Sequence, residues 1–290
     1  MDQNIDNFDW RFYCNYYGDL RSAGINNEKK ALEHYSQHGK NENRIINSDL
    51  APHLTISSSN IPIDPIDPAC SASFFQPGQH FCNYLTQVGK LKKTDRVLEI
   101  GFGVGSLALA LNKYLQSSSS YSGLDTDKNC VDWCRSKISS INSNFDFKYF
   151  PEGCQTIPFP YDNNSFDFVF SSIAFTSLSI DDAKYYLEEI SRVLKVGGKC
   201  LILCFLWNPC IELLIRDGRC PIKTTDNLGE CRNIHNSIRE KAICYGESCV
   251  FQWHENNYLS IIEINYGNWS SSSSEINYQD YILSQKIKPH

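Results

Sequence analysis

Residues 97–111 read VLEIGFGVGSLALAL. Apolar Val97, Leu98 and Ile100 form a strand that runs into glycines at 101, 103 and 105, and Leu107–Leu111 continues as a helix. That is the strand, glycine turn and helix of a nucleotide-binding βαβ unit. Glycines there let the backbone approach a ligand closely and adopt positive φ without a Cβ penalty. A pyrophosphate fingerprint would place its third glycine at 106, which is Ser106. Glu99 stands two residues ahead of the first glycine. Read alone, the turn is also compatible with a tight strand-to-helix connection and nothing more.

Three further segments follow in order. In YSGLDTD, 121–127, Tyr121, Gly123 and Leu124 make a short buried strand with Asp125 at its carboxyl end. An acid there, roughly 20 residues past the glycines, can accept from both ribose hydroxyls, each bond worth roughly 1.5–3 kcal/mol. Asp125 or Asp127 could instead cap the helix that starts near Lys128; Asp127 fits the cap better, which leaves Asp125 for the ribose. In IPFPYDNNSFDFVFSS, 157–172, a proline- and asparagine-rich turn leads into a strand in which Phe166, Phe168 and Phe170 alternate with Asp167, Val169 and Ser171. In YYLEEISRVLKVGGKCLILCFL, 185–206, an amphipathic helix is expected to stop at Gly197–Gly198 and a strand to run from Lys199 to Leu206.

The pattern E-x-G-x-G-x-G, with P-F-x-x-x-x-x-S-F-D and R-V-L-K-x-G-G behind it, resembles the signature of class I S-adenosylmethionine (SAM) methyltransferases. YSGLDTDKNCVDWCRSKI, FDFKYF, NNSFDFVFSSIAFTSL and NYQDYILSQK narrow this to a group associated with glycosyltransferases in polysaccharide gene clusters, over residues 75–288. The resemblance implies a Rossmann-like α/β fold: a seven-stranded, mostly parallel sheet whose last strand is antiparallel. It implies SAM as cofactor, held by Glu99, Gly101, Gly103, Gly105, Asp125, Thr126, Glu152 and Ser171. The chain departs from the pattern in three places, one of them a short segment between the third strand and Phe159. The acid that usually ends the third strand is replaced by Phe150–Pro151, with Glu152 next, and Ser177 stands where a His often follows F-T.

Composition bounds the rest. The 290 residues carry a net charge of −6 and no basic run longer than a pair such as Lys92–Lys93, which argues against a nucleic-acid partner. SSIA after the fourth strand lacks the N/D-P-P-Y-type tetrad of base-amino methylation. The first residues, MDQNIDNFDW, are polar and acidic, and Cys200–Trp207 is too short an apolar run to span a bilayer, so a cytoplasmic protein (host cytoplasm if viral) is expected. The 13 cysteines make no C-x-x-C pair. They read as reduced thiols, with Cys130/Cys134 and Cys200/Cys204 as core filling and no metal site expected.

Residues 1–45 read as a small helical module rich in aromatics, 46–72 as a proline-bearing linker, and 73–290 as the catalytic domain. F-D-W-x-F-Y-x-N-Y-Y-x-D-L resembles modules appended to glycan enzymes of giant DNA viruses, which implies a docking role, with a glycosyltransferase as a possible partner. His34 and His38 lie one helical turn apart but lack a third ligand at a recognisable spacing. A helix over Phe75–Val88 is expected to close over the cofactor. Residues 208–246 lack a clean period and read as a substrate-covering insertion, with Trp207 and His235 as candidates there. Residues 258–266 and 278–286 alternate as a terminal hairpin around the serine tract 270–274. If the first runs parallel to the sheet, Trp269, Tyr278, Gln279 and Asp280 hang over the transferred methyl. Asp280 is then the candidate general base and the other three substrate contacts; the alternative makes Trp269 a hinge anchor and Asp280 a turn residue. The expected activity is O-methylation of a sugar or sugar nucleotide for a surface glycan. The alternatives are methylation of another small metabolite or a protein side chain, and a SAM-binding docking protein without catalysis.

Overall fold

The computed structural model describes residues 8–10, 13–14, 20, 23–40, 68–151, 153, 155–172, 174–218, 223–227, 231–236, 239–267, 269 and 279–288. Near the N-terminus, Asn27 caps α1 (Glu28–His34) by accepting from Lys30 N, and the helix continues through a π-turn over Tyr35–Gly39. Tyr13, Cys14, Leu20, Ala31 and Tyr35 bury one another in a small core of their own. His34 is not a bare surface residue, since its Nδ1 lies 3.1 Å from the Tyr13 hydroxyl. Residues 41–67 lie outside the described residues. α2 (Pro68–Gln87) starts within the stretch expected to be linker and takes in the helix expected over 75–88.

The main sheet is built from β1 (Arg96–Ile100), β2 (Ser120–Asp125), β3 (Phe145–Tyr149), β4 (Phe166–Ser171), β5 (Leu194–Cys204), β10 (Leu259–Asn265) and β11 (Asp280–Lys286). Its order is β3-β2-β1-β4-β5-β11-β10. The first five strands are parallel, and β11 runs antiparallel between β5 and β10. This is the seven-stranded, mostly parallel sheet with an antiparallel last strand that the sequence implies. Strand order reverses beside β1, where open α/β sheets bind ligands at the carboxyl edge.

Because successive strand residues point to opposite faces, the sheet divides the interior into two cores. Val97, Tyr121, Phe147, Phe168 and Leu201 pack under α2, α3 (Ser106–Tyr114) and α4 (Lys128–Cys134), and Cys130 and Cys134 fill that side. Leu98, Leu124, Val169, Ile202, Cys200 and Cys204 pack on the other, under α5 (Ile180–Val193) and α7 (Glu247–Asn256). Asp127 caps α4 through Asn129 N and Cys130 N, as the sequence suggests.

Two local expectations change. Gly197–Gly198 does not stop α5, which ends at Val193; Leu194 already pairs with Phe166, and the ladder resumes at Lys199 opposite Phe168. The four residues between are looped out of the ladder, with Gly197 at φ +84. Lys195 reaches back to Asp167 at 2.7 Å, and Asp167 also accepts from Arg96 N, so the irregularity is fastened to its neighbours. Nor is 208–246 without regular structure. After β6 (Leu206–Trp207) and α6 (Pro209–Arg216), strands β7 (Lys223–Asn227), β8 (Cys231–Asn236) and β9 (Arg239–Gly246) form a second sheet of order β6-β9-β8-β7. Among the described residues, no helix is long and apolar enough to cross a membrane.

Candidate cofactor site and its cover

The turn between β1 and α3 is held to β2 at several points. Gly101 N donates to Leu124 O at 2.8 Å, and Gly103 N donates to Asp125 Oδ2 at 2.7 Å. Phe102 packs across Gly123, where a Cβ would sit 2.6 Å from its ring, and meets Phe147 edge-on at 5.0 Å. Gly101, Gly103 and Gly105 all take positive φ, but their surroundings differ. A Cβ on Gly105 would lie 2.7 Å from Ile138 Cδ1, whereas one on Gly103 would meet nothing within 4 Å. Gly105 serves packing; Gly103 opens on free space. α2 crosses beside the turn, with Gly78 so close that a Cβ would lie 2.1 Å from Ser106 O.

Asp125 is half-buried at the end of β2, with Thr126 exposed beside it. Its second oxygen accepts from Asp127 N at 2.8 Å. Burial raises its pKa, against the backbone donors of Asp127 and Gly103. Glu99 is 4% exposed and accepts from the Tyr121 hydroxyl at 2.6 Å. Ser171 is fully buried, and its hydroxyl donates to Ile100 O at 3.1 Å. That correction is physical: the Ser171 side chain ties β4 to β1 and is sealed from the cleft. Glu152 lies outside the described residues. Where an acid often ends the third strand, Phe150 is buried edge-on against Phe159 and Tyr186, and its N–H donates to Asp125 O.

An ion pair that spacing alone does not reveal joins two of the sequence segments. Glu189 and Arg192, on α5, form a two-pronged pair at 2.7 Å. Arg192 also donates to the carbonyls of Phe159 and Tyr161 and to Asn163 Oδ1, while Glu189 accepts from Phe159 N. The P-F and R-V-L-K segments are therefore the two sides of one clamp.

At the far edge, Asp280 pairs with Cys204, which puts it at the carboxyl end of the sheet as topology predicts. Its role there is corrected. Asp280 is 0% exposed, and its carboxylate accepts from Leu206 N (2.7 Å), Gly267 N (2.7 Å) and Trp269 Nε1 (2.8 Å). A base must reach its proton; this carboxylate is enclosed and fastens three segments together. Trp269 is likewise buried, edge-on to Phe205 at 5.2 Å, and so is the hinge anchor rather than a residue over the methyl. Trp207 is half-buried beneath the Arg232 guanidinium, 3.8 Å from its ring centroid. Gln279 is half-buried; Tyr278 and the serine tract lie outside the described residues, and His235 lies on β8. No group of three or more His, Cys, Asp or Glu among the described residues is arranged to hold a metal ion.

A sheet of this order, with a glycine turn after β1 and an acid ending β2, has the architecture of the class I, SAM-dependent methyltransferases. Residues 97–198 match the family described as methyltransferase domain, and SAM is the cofactor that goes with the fold. Over 114 residues it is 35% identical to a demethylmenaquinone methyltransferase of Lactobacillus johnsonii, covering 39% of this chain and 45% of the relative. Over 118 residues it is 34% identical to the ubiquinone/menaquinone biosynthesis C-methyltransferase UbiE of Geotalea daltonii, covering 40% and 48%. The chain thus matches about half the length of these relatives. Among solved structures, a Pyrococcus horikoshii protein aligns with a TM-score of 0.53 at 17% identity, covering 80% of this chain and 100% of that one. A geranyl diphosphate methyltransferase in complex with SAM aligns at 0.51 and 12% identity, covering 78% and 93%. These two show likeness of fold.

Sequence reasoning missed Tyr121, Glu189, Arg192 and Arg232. Two left a usable signal: Arg192 opens the R-V-L-K-x-G-G segment, and Tyr121 is the one aromatic in β2, on the strand beside Glu99.

Proposed function

We propose that this chain is a SAM-dependent methyltransferase acting on a hydroxyl of a sugar or sugar nucleotide. The supporting observation for the cofactor is the open space at Gly103, whose N–H is held by the Asp125 carboxylate. An acid beside the turn suits a cationic ligand better than a pyrophosphate. Glu99, the 101–105 turn, Asp125 and Thr126 would hold SAM. Asp125 keeps lone pairs beyond those used by Gly103 N and Asp127 N, and these suit ribose hydroxyls. When bound, SAM supplies an activated methyl group, which leaves the protein to align the acceptor and manage one proton.

With Asp280 enclosed, the base for a sugar hydroxyl would come from the cover at 206–246 or from the segment after Ser171. Arg232 stacked on Trp207 offers a guanidinium held in place by its ring, which would suit a phosphate-bearing acceptor. The sequence resemblance over 75–288 supports the sugar. The N-terminal module, with its own core, would dock a partner such as a glycosyltransferase. A second reading, methylation of a quinone ring carbon, is favoured by the names of the relatives, although the match is confined to less than half of this chain.

A methyl-release assay with SAM decides among these. Turnover on UDP-sugars or free sugars supports the first reading, and turnover on a short-chain demethylmenaquinone the second. SAM binding by calorimetry without turnover on any acceptor points to a docking protein instead.

A further inference from the structure

Glu99 is buried near the end of β1 and, among the described residues, has no positive charge to answer it. The titratable groups that act on it are Tyr121 and Asp125 from β2 and Cys134 from α4, and none is basic. From β4, the nearby Ser171 hydroxyl is spent on Ile100 O. Tyr121 is itself fully buried, stacked on Phe145 at 5.0 Å and tilted against Phe147 at 5.6 Å. Its hydroxyl is therefore fixed in place, 2.6 Å from Glu99 Oε2. Burying a lone carboxylate is expensive enough that such a group ordinarily takes up a proton.

We propose that Tyr121 is a positioning residue for the cofactor: it holds Glu99 at the glycine turn as the counter-charge of a cationic ligand, and binding that ligand expels a proton from Glu99. The proposal rests on the SAM reading above. The balance is simple. The O–H bond of the Glu99 carboxyl breaks, the proton passes to solvent, and the carboxylate stays to face the cation brought by SAM. Burial pushes the Glu99 carboxyl up to about 8, and the Tyr121 hydroxyl opposes that rise. On this proposal Glu99 carries a proton at neutral pH in the free protein. SAM affinity should climb as pH rises toward 8, on the order of tenfold per unit where a proton must leave.

Calorimetry of SAM binding to the full chain, at pH 6, 7 and 8 in buffers of different ionisation enthalpy, counts the protons. The expected result is close to one proton released per SAM at pH 7, and roughly tenfold tighter binding at pH 7 than at pH 6. Tyr121→Phe keeps the ring packing and removes the hydroxyl that favours the ionised acid. Its affinity should be most reduced at pH 7 and largely recovered by pH 9. Glu99→Gln should bind weakly at every pH and release no proton. The proposal is overturned if wild type binds SAM with no proton release. It is also overturned if Glu99→Gln still releases one, or if Tyr121→Phe weakens binding equally at all pH values. Absence of SAM binding at any pH would sink the cofactor reading beneath it as well.

Discussion

The two ends of the carboxyl edge of the sheet are built by opposite means. At β1 and β2 the edge is a glycine turn pinned to its neighbours by N–H donors, a Phe102 ring and two acids. Every part lies within about thirty residues of sequence. At β5, β6 and β11 the edge is built from segments brought from far apart, with the backbone N–H groups of Leu206 and Gly267 and the Trp269 indole meeting at the buried Asp280 carboxylate, and Arg232 laid on Trp207. Under the proposed function, a cofactor common to many enzymes would use the first kind of construction and an acceptor particular to one the second.

The largest effect should come from the clamp that supports the first end. In Arg192→Ala, Glu189 is left with its carboxylate only 6% exposed and without its partner, and the 159–163 turn loses three acceptor contacts. Removing one member of a buried pair costs about 3–5 kcal/mol. Urea unfolding should show a loss of that size. A loss below about 1 kcal/mol would mean the two segments hold their places without it.

Next comes the glycine contrast. Gly103 and Gly197 both take positive φ, and a Cβ on either meets no atom within 4 Å. Alanine at either should cost about 1–2 kcal/mol of backbone strain. Only Gly103→Ala should also weaken SAM, by about 100-fold, since it alone fills space beside the turn. Equal affinity in the two variants would reduce the turn to a connection.

How much of this was legible follows the same division. The turn, the Asp127 cap, α5 and the β10–β11 hairpin were readable because each is written in local spacing. The second sheet was not: Lys223–Asn227, KTTDN, contains no apolar residue and is a strand only through pairing with β8. Topology put Asp280 at the correct edge, but no spacing reveals that three donors enclose it. Gly197–Gly198 misled because a glycine pair ends a helix and loops out of a ladder by the same conformational freedom.

Asp280→Asn probes the far edge, where one carboxylate joins three segments. Asn can accept only through its oxygen, so at least one of three buried donors is left unanswered, at about 1–3 kcal/mol. The pH dependence adds a sign. Burial raises the carboxyl from 3.8 to about 7, so the folded state holds the proton more tightly than the unfolded chain does. That contribution is complete below about 4 and is lost as pH rises through 7. Wild type should therefore lose more stability between pH 5 and pH 8 than Asp280→Asn does, by thermal melts at matched ionic strength. An equal loss in the two would place the titration elsewhere.

The smallest effect should be the most specific. Arg232 contributes a cation–π stack on Trp207 and a loose pairing with the exposed Glu212 at 3.9 Å. Stacks of this kind are worth about 0.5–1 kcal/mol at exposed sites and up to about 2 when desolvated. The Arg232 side chain is 21% exposed, so Arg232→Gln should lower stability by about 1 kcal/mol. Arg232 lies on β8 of the second sheet and not at the glycine turn, so SAM affinity should stay within about twofold, a margin of about 0.4 kcal/mol. The KM for a phosphate-bearing acceptor should rise on the order of tenfold, the worth of one charge-assisted bond, while that for a neutral acceptor stays put. If SAM affinity falls as far as acceptor affinity, the two ends of the edge are one site, and the division drawn between them fails.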